Sequence, residues 1–371
     1  MNINLSRQRN IMLISIIFIS IFGVFMVKES SKIWAEYLYN DQYYFFKRQS
    51  IFYIVGLISL YIGMKINIQY LIKYIKLFLF ISYILLILVL IPNVGLTKNG
   101  STSWLGIGSF SFQPSEFFKI SIILYNSLYL SNNYKKTSNF KNLLPFLLPS
   151  ILGLILVMLQ PDFGTSMVIV GAIFIQIIAS KLDFKWFIAI IILGLVGIGI
   201  LIFSKSYRMD RISAFIDPFN DPLGSGFQII QSLYALGPGG LIGQGINGSI
   251  QIHYYLPEPQ TDFIFAIIVE EFGLIGGLIV IGIYSLIIFT GFTLIKNERD
   301  LFKGYLALGL LSIFFIQVII NLGVVIGLFP VTGITLPLIS YGGSSLVVIM
   351  FSLGLVINKG DKNENSNRMF I

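Results

Sequence analysis

The chain has 371 residues, 56% of them hydrophobic and only 11% charged. An ordinary soluble domain is about one quarter charged, so this composition excludes a water-soluble globule and points to an all-α polytopic membrane protein. With no cysteine and one histidine, His253, it can build no disulfide, thiolate nucleophile, iron–sulfur cluster or Cys/His zinc site. The net charge of +8 (25 Lys and Arg against 17 Asp and Glu) falls mostly in short segments between apolar runs. It reads as a topology signal, and no nucleic acid partner is expected.

Arg7 and Arg9 precede an uncharged run at 11–27 with no small-residue cleavage site after it, so this run is expected to remain as the first span. Nine further runs follow at 51–64, 77–96, 114–131, 143–160, 163–180, 186–203, 263–295, 304–329 and 339–358. The second is short. The eighth has 33 residues, about 50 Å of helix, and is expected to project from the membrane or bend near Gly273, Gly276 and Gly277. Ten spans put both termini on one side, and that side carries twice as many Lys and Arg as the other. The bias predicts cytoplasmic N- and C-termini in a bacterial cytoplasmic membrane. The whole chain, 1–371, reads as one integral membrane domain with a short polar tail at 359–371 and a large extracytoplasmic loop at 204–262. Inside that loop, Gln228, Gln231 and Ser232 of GFQIIQSLYAL share one helical face, which suggests a short helix lying on the membrane.

Ionisable residues at or inside the membrane tend to mark function. Asp262 closes LPEPQTD, just before the eighth span. Two readings stand: a helix cap, or a general base whose pKa partial desolvation raises. Glu116 and Lys119 in QPSEFFK have i, i+3 spacing, as an ion pair or as substrate contacts. Asp162 follows a proline at a helix start and reads as a cap. Glu270 and Glu271 are adjacent, so at most one of them can share a face with Asp262. Lys47 with Arg48, and Arg208 with Arg211, are either headgroup anchors or a clamp for pyrophosphate. GPGGLIGQG is no dinucleotide loop, because no βαβ unit surrounds it. SYGGSSL, from Ser340, offers either close helix packing or amides that bind an anion. Gly273 and Gly277 form a GxxxG, a packing signal.

The ordered set FFKRQ, NGSTSWLGIGSFSFQPSEFFK, LQPDFGTSMVIV, DPLGSGFQIIQSLYALGPGGL, LPEPQTDFIFAIIVEEFGLIGG and PVTGITLPLISYGGSSL resembles the SEDS family (shape, elongation, division and sporulation) over nearly the whole chain. It is most similar to the FtsW and SpoVE branch, with the RodA elongation branch as the near alternative. The resemblance implies a ten-span glycosyltransferase that polymerises lipid II at the outer face of the membrane for septal wall synthesis. It implies a catalytic Asp262 and site roles for Glu116, Lys119 and Trp104. A divalent cation, Mg or Mn, is implied near Asp262, with no organic cofactor. The implied partners are the undecaprenyl-pyrophosphate-linked glycan, membrane lipid and a class B penicillin-binding protein. The family often has a basic residue just before the tryptophan; here Thr102 and Ser103 stand there, and Lys98 or the Arg208 pair is left to replace it. Two readings of other classes remain: a lipid II flippase with Glu116, Lys119 and Asp162 along its path, and a non-catalytic scaffold for the penicillin-binding protein.

Overall fold

The computed structural model describes residues 4–98, 100–107, 110–138, 140–203, 206–253 and 255–359. Every apolar run read from the sequence carries a helix, but the ends differ for physical reasons. Helix α1 covers Leu5–Tyr39, twelve residues beyond the expected end. The polar turn KESSK stays helical because its groups are satisfied locally. Glu29 sits between Lys28 (3.2 Å) and Lys32 (2.9 Å), and the Ser30 and Ser31 hydroxyls donate to the Met26 and Val27 carbonyls. Helix α2 covers Tyr44–Lys65, and α3 covers Ile68–Leu90. The third run stops before its predicted end because Pro92 and Gly95 follow.

Strands β1 (Leu96–Lys98), β2 (Ser101–Ile107) and β3 (Phe110–Phe112) then form a small antiparallel sheet, pairing Leu96 with Trp104 and Leu105 with Phe112. The sequence reading missed this sheet, and the all-α class is amended by it. Helices α4 (Pro114–Asn133), α5 (Leu144–Leu159), α6 (Phe163–Ile178) and α7 (Phe184–Phe203) follow.

The long loop is partly helical. It holds α8 (Ser206–Ile216) and α9 (Phe227–Gly239). Helix α9 does not present Ser232 outward as expected. Ser232 is buried and donates to the Val325 carbonyl at 2.8 Å, so this face packs on the bundle while Tyr234 is exposed.

Helices α10 (Ile264–Lys296), α11 (Leu301–Val325) and α12 (Gly343–Ile357) complete the chain. Among the described residues, six helices are long and apolar enough to cross a membrane: α1, α2, α3, Phe140–Leu159, α10 and α11. Helices α6 and α12 are apolar but shorter. Gly327, at φ 73°, and Pro330 end α11 early. Residues 326–342 follow as irregular chain, exposed or half-buried over 326–333 and mostly buried over 334–340.

The expected bend in α10 falls at Gly273, with φ 69° and ψ −172°, a region open essentially to glycine alone. The break exposes backbone groups, and the glycine-rich stretch 240–245 satisfies them. Gln244 and Gly245 donate to the Glu270 and Glu271 carbonyls at 2.9 Å each, and Leu274 and Ile275 donate to those of Gly240 and Leu241 at 2.9 and 3.1 Å. A Cβ on Gly273 would lie 2.4 Å from the Leu241 carbonyl oxygen. Gly273 is therefore a docking point for the loop and not part of a helix–helix GxxxG seam. The tight seam lies elsewhere, between α2 and α12, where a Cβ on Gly63 would lie 2.5 Å from the Phe351 carbonyl oxygen.

Candidate active site

Asp262 lies in the turn before α10 and is partly open to solvent. Of its two readings, the cap is not seen: the N-cap is Phe263, with no side-chain cap bond. Capping carboxylates do occur elsewhere. Asp162 Oδ1 accepts from the Thr165 amide at 3.0 Å and Asp300 Oδ1 from the Lys303 amide at 2.8 Å. With no capping bonds to favour its charge, the crowded surroundings of Asp262 decide its acidity. Burial first, then the nearby Glu258 carboxylate, push its pKa up to about 7, against the pull of Arg211. A carboxylate at that value can take a proton near neutral pH.

The loop 326–342 holds this aspartate in place. Asn321, near the end of the mainly apolar α11, donates through Nδ2 to the Asp262 carbonyl (2.7 Å) and the Ile334 carbonyl (2.8 Å). Ser340 accepts from the Leu336 amide (2.8 Å) and donates to the Thr261 carbonyl (2.7 Å). The Tyr341 amide donates to the Gln260 carbonyl at 2.8 Å. From α2, Gln49 donates to the Ser340 carbonyl (3.1 Å) and accepts from Gly342 (3.4 Å). Ser340 thus braces the turn just before Asp262, and the Tyr341 and Gly342 amides are tied into that brace. Gly333 faces the carboxylate: a Cβ there would lie 3.7 Å from Asp262 Oδ2. Buried oxygens of Gln260, Asn321 and Thr332 have no hydrogen-bond partner among the described residues. They leave acceptor capacity near Asp262.

Arg211 on α8 donates to the Val331 carbonyl at 3.1 Å and acts electrostatically on Asp262. Arg48 stacks over the Tyr44 ring at 4.4 Å and donates to the Tyr341 hydroxyl, so it reaches the same loop. Its neighbour Lys47 is engaged by Asp41 at 2.8 Å. The Arg208 side chain and Lys98 side chain lie outside the described residues, as does most of the tail from 360.

The remaining predicted residues form two other groups. Asp162 caps α6 and also accepts from Gln113, the N-cap of α4, at 2.9 Å. It ties two helix starts together. The same end of α6 abuts the loop beside Asp262: a Cβ on Gly164 would lie 2.6 Å from the Thr332 carbonyl oxygen. Trp104 sits on β2, whose Ser103 donates to the Gln160 carbonyl at 3.1 Å. Glu116 and Lys119 form a buried ion pair at 2.8 Å, with side chains 5% and 1% exposed. They line a small, mainly apolar cavity with Leu310, Phe314 and Ile349. Glu116 Oε2 has no partner there among the described residues.

Glu270 and Glu271 do not join Asp262. Glu270 accepts from the Ile250 amide (2.8 Å) and from Ser249, and Glu271 from the Asn247 amide (3.1 Å). Both hold the loop against α10. Among the described residues no group of three or more His, Cys, Asp or Glu side chains could hold a metal ion.

Gln49, Glu258, Asn321, Thr332 and Tyr341 escaped the sequence reading as site residues. Asn321 carried a legible signal, a polar amide, like Gln317, inside a mainly apolar helix. The others depend on how loop 326–342 returns across the bundle.

A family model named for FtsW, RodA and SpoVE and described as "Cell cycle protein" matches residues 9–365. Over 337 residues the chain is 44% identical to stage V sporulation protein E of Bacillus subtilis (strain 168), covering 91% of this chain and 92% of that one. It is 36% identical over 352 residues to the probable peptidoglycan glycosyltransferase FtsW of Trichlorobacter lovleyi, covering 94% and 92%. A solved structure described as "Structural coordination of polymerization and crosslinking by a peptidoglycan synthase complex" superposes with TM-score 0.76 at 30% identity, over 93% of this chain and 95% of the other. The rod shape determining protein RodA of Thermus thermophilus superposes with TM-score 0.68 at 25% identity, over 93% and 94%.

Proposed function

The chain belongs to the FtsW/RodA/SpoVE family of cell cycle proteins, and from that premise we infer that it is a peptidoglycan glycosyltransferase that polymerises lipid II for a division or sporulation septum. The relatives named for sporulation and for FtsW support that branch over RodA-type elongation. The protein spans the bacterial cytoplasmic membrane ten times as one domain, with both termini cytoplasmic and the 204–262 loop outside. A class B penicillin-binding protein is its partner and crosslinks the strands.

The observation that carries the reaction is Asp262: a carboxylate raised to about 7, in a crevice partly open to solvent, with Arg211 beside it. Asp262 takes the proton from the 4-hydroxyl of the acceptor GlcNAc. That oxygen attacks the anomeric carbon of the donor glycan, whose bond to undecaprenyl pyrophosphate breaks with inversion. Arg211, and with it Arg48 and Arg208, stabilise the charge that develops on the leaving pyrophosphate. Glu116 and Lys119 set the shape of the separate cavity they line with α11 and α12, and Ser340 and Asp162 fix the loops near Asp262.

The donor set fits a hard divalent cation such as Mg or Mn. Glu258 lies close enough to Asp262 to interact; it would hold such an ion together with substrate phosphates, as one or two carboxylates commonly do, leaving Asp262 as the base. When bound, the ion would supply charge neutralisation to the pyrophosphate.

The test is conversion of fluorescent lipid II to glycan strands by the purified protein with its penicillin-binding partner in liposomes. Long strands are expected. Lipid II that crosses the bilayer without polymerising would replace this reading with that of a flippase. Partner binding with neither activity would replace it with that of a scaffold.

A further inference from the structure

At the end of the bundle away from Asp262, α1 and α3 begin and α10 and α12 finish. A second cavity lies there, lined by Arg9, Ile68, Leu294, Glu298, Lys303 and Asn358 among others. Arg9 lies in the first two turns of α1 and Lys303 in the first turn of α11, so two cations meet at a membrane boundary.

The local carboxylates are already engaged by main chain. Glu298 Oε1 accepts from the Arg299 amide (2.8 Å) and the Asp300 amide (3.1 Å), and Asp300 accepts from the Lys303 amide (2.8 Å). Their work is to shape the tight turn between α10 and α11. Arg9 differs: Glu298 acts on it electrostatically, yet its guanidinium is not fully hydrogen-bonded. Its Nε is buried and has no hydrogen-bond partner among the described residues. A buried guanidinium N–H left unpaired is costly. Ile68, Leu294 and Leu306 form the apolar part of the wall, and Glu298, Lys303 and Asn358 the polar part. Close by along α10, Phe289 and Phe292 expose their rings on the outer surface of the bundle.

A cavity of mixed polar and apolar lining, with an unpaired guanidinium N–H and a second cation at a bilayer boundary, suits a phosphate carried on acyl chains. We propose that this cavity binds the phosphate headgroup of an anionic membrane phospholipid, with Arg9 as its principal ligand and Lys303 as the second cation. Nothing in the Asp262 chemistry requires this site, so it stands apart from the polymerase reading.

The experiment uses the full-length protein, delipidated in detergent and titrated with phosphatidylglycerol, phosphatidylcholine or inorganic phosphate, with the melting temperature as readout. A ligand that binds only the folded state raises that temperature in a saturable way. Phosphatidylglycerol should stabilise the wild type, and the other two additives should not. Arg9→Gln should raise the half-saturating lipid fraction about tenfold, the loss of roughly one charge-assisted hydrogen bond. Arg7→Gln, on the exposed side of the same helix, should leave it unchanged. If Arg9→Gln does not fold, Lys303→Gln gives the same comparison. An equal response in the Arg9 and Arg7 variants overturns the proposal, as does equal stabilisation by phosphatidylcholine. Full stabilisation by inorganic phosphate overturns the lipid assignment.

Discussion

Gly273→Ala tests whether the break in α10 is built in or incidental. At φ 69° and ψ −172° a side chain costs about 1–3 kcal/mol in backbone strain alone. The new methyl would lie 2.4 Å from the Leu241 carbonyl oxygen and 2.5 Å from the Ile242 and Gly243 amide nitrogens. These are main-chain atoms, which cannot rotate away. Relief requires the 240–245 segment to lift from α10, giving up backbone bonds made by Gln244, Gly245, Leu274 and Ile275, each worth about 0.5–1.5 kcal/mol net. Retained strain and lost bonds lead to a similar figure, on the order of 3 kcal/mol. Gly282, on the same helix, has open space around it. Its replacement by alanine should be neutral or stabilise by up to about 1 kcal/mol. Thermal unfolding in detergent and hydrogen exchange at those four amides provide the measurements. A Gly273→Ala protein that melts with the wild type and keeps those amides protected would refute the reasoning.

Three further outcomes follow from the same geometry. Asn321→Ala removes both bonds that hold the Asp262 and Ile334 carbonyls; kcat should fall at least about tenfold with KM little changed, because a misplaced base loses rate before binding, as steady-state polymerisation kinetics will show. Asp262 has a folded pKa of about 7, above its unfolded value, so the native state binds the extra proton and stability is lost as pH rises through 7. Asp262→Asn should therefore melt above the wild type at pH 8, with the gap closing toward pH 4. Glu116→Gln leaves Lys119 in an apolar cavity without its carboxylate and should cost about 3–5 kcal/mol in thermal unfolding, whereas Glu116→Leu with Lys119→Met should recover most of that.

Much of the helix content was legible because an apolar run long enough to cross a bilayer has few other ways to satisfy its backbone. The ends were less legible. The KESSK turn reads as polar chain, yet it is helical because Lys28 and Lys32 flank Glu29, a cancellation visible only once the side chains are placed. The β1–β3 sheet was missed because strands of three and seven residues carry too short an alternation to stand out beside long helices. Asp262 was legible as an ionisable group at a membrane edge, and Asp162 as a cap. The brace around Asp262 was not, because Gln49, Asn321 and Ser340 are 49, 321 and 340 residues along the chain and meet only when loop 326–342 folds back. Glycines gave mixed signals. Gly273 was rightly marked as a bend, but the sequence held no sign that GPGGLIGQG was its backbone partner.

The most direct test of the central claim is the initial rate of glycan-strand formation from lipid II by Asp262→Asn beside the wild type, across pH 5 to 9. The wild-type rate should rise with pH and level off above about 7. The variant should be slower by about 10²-fold or more, the usual contribution of a general base, with no such pH step. A folded Asp262→Asn protein that polymerises at the wild-type rate would contradict the account.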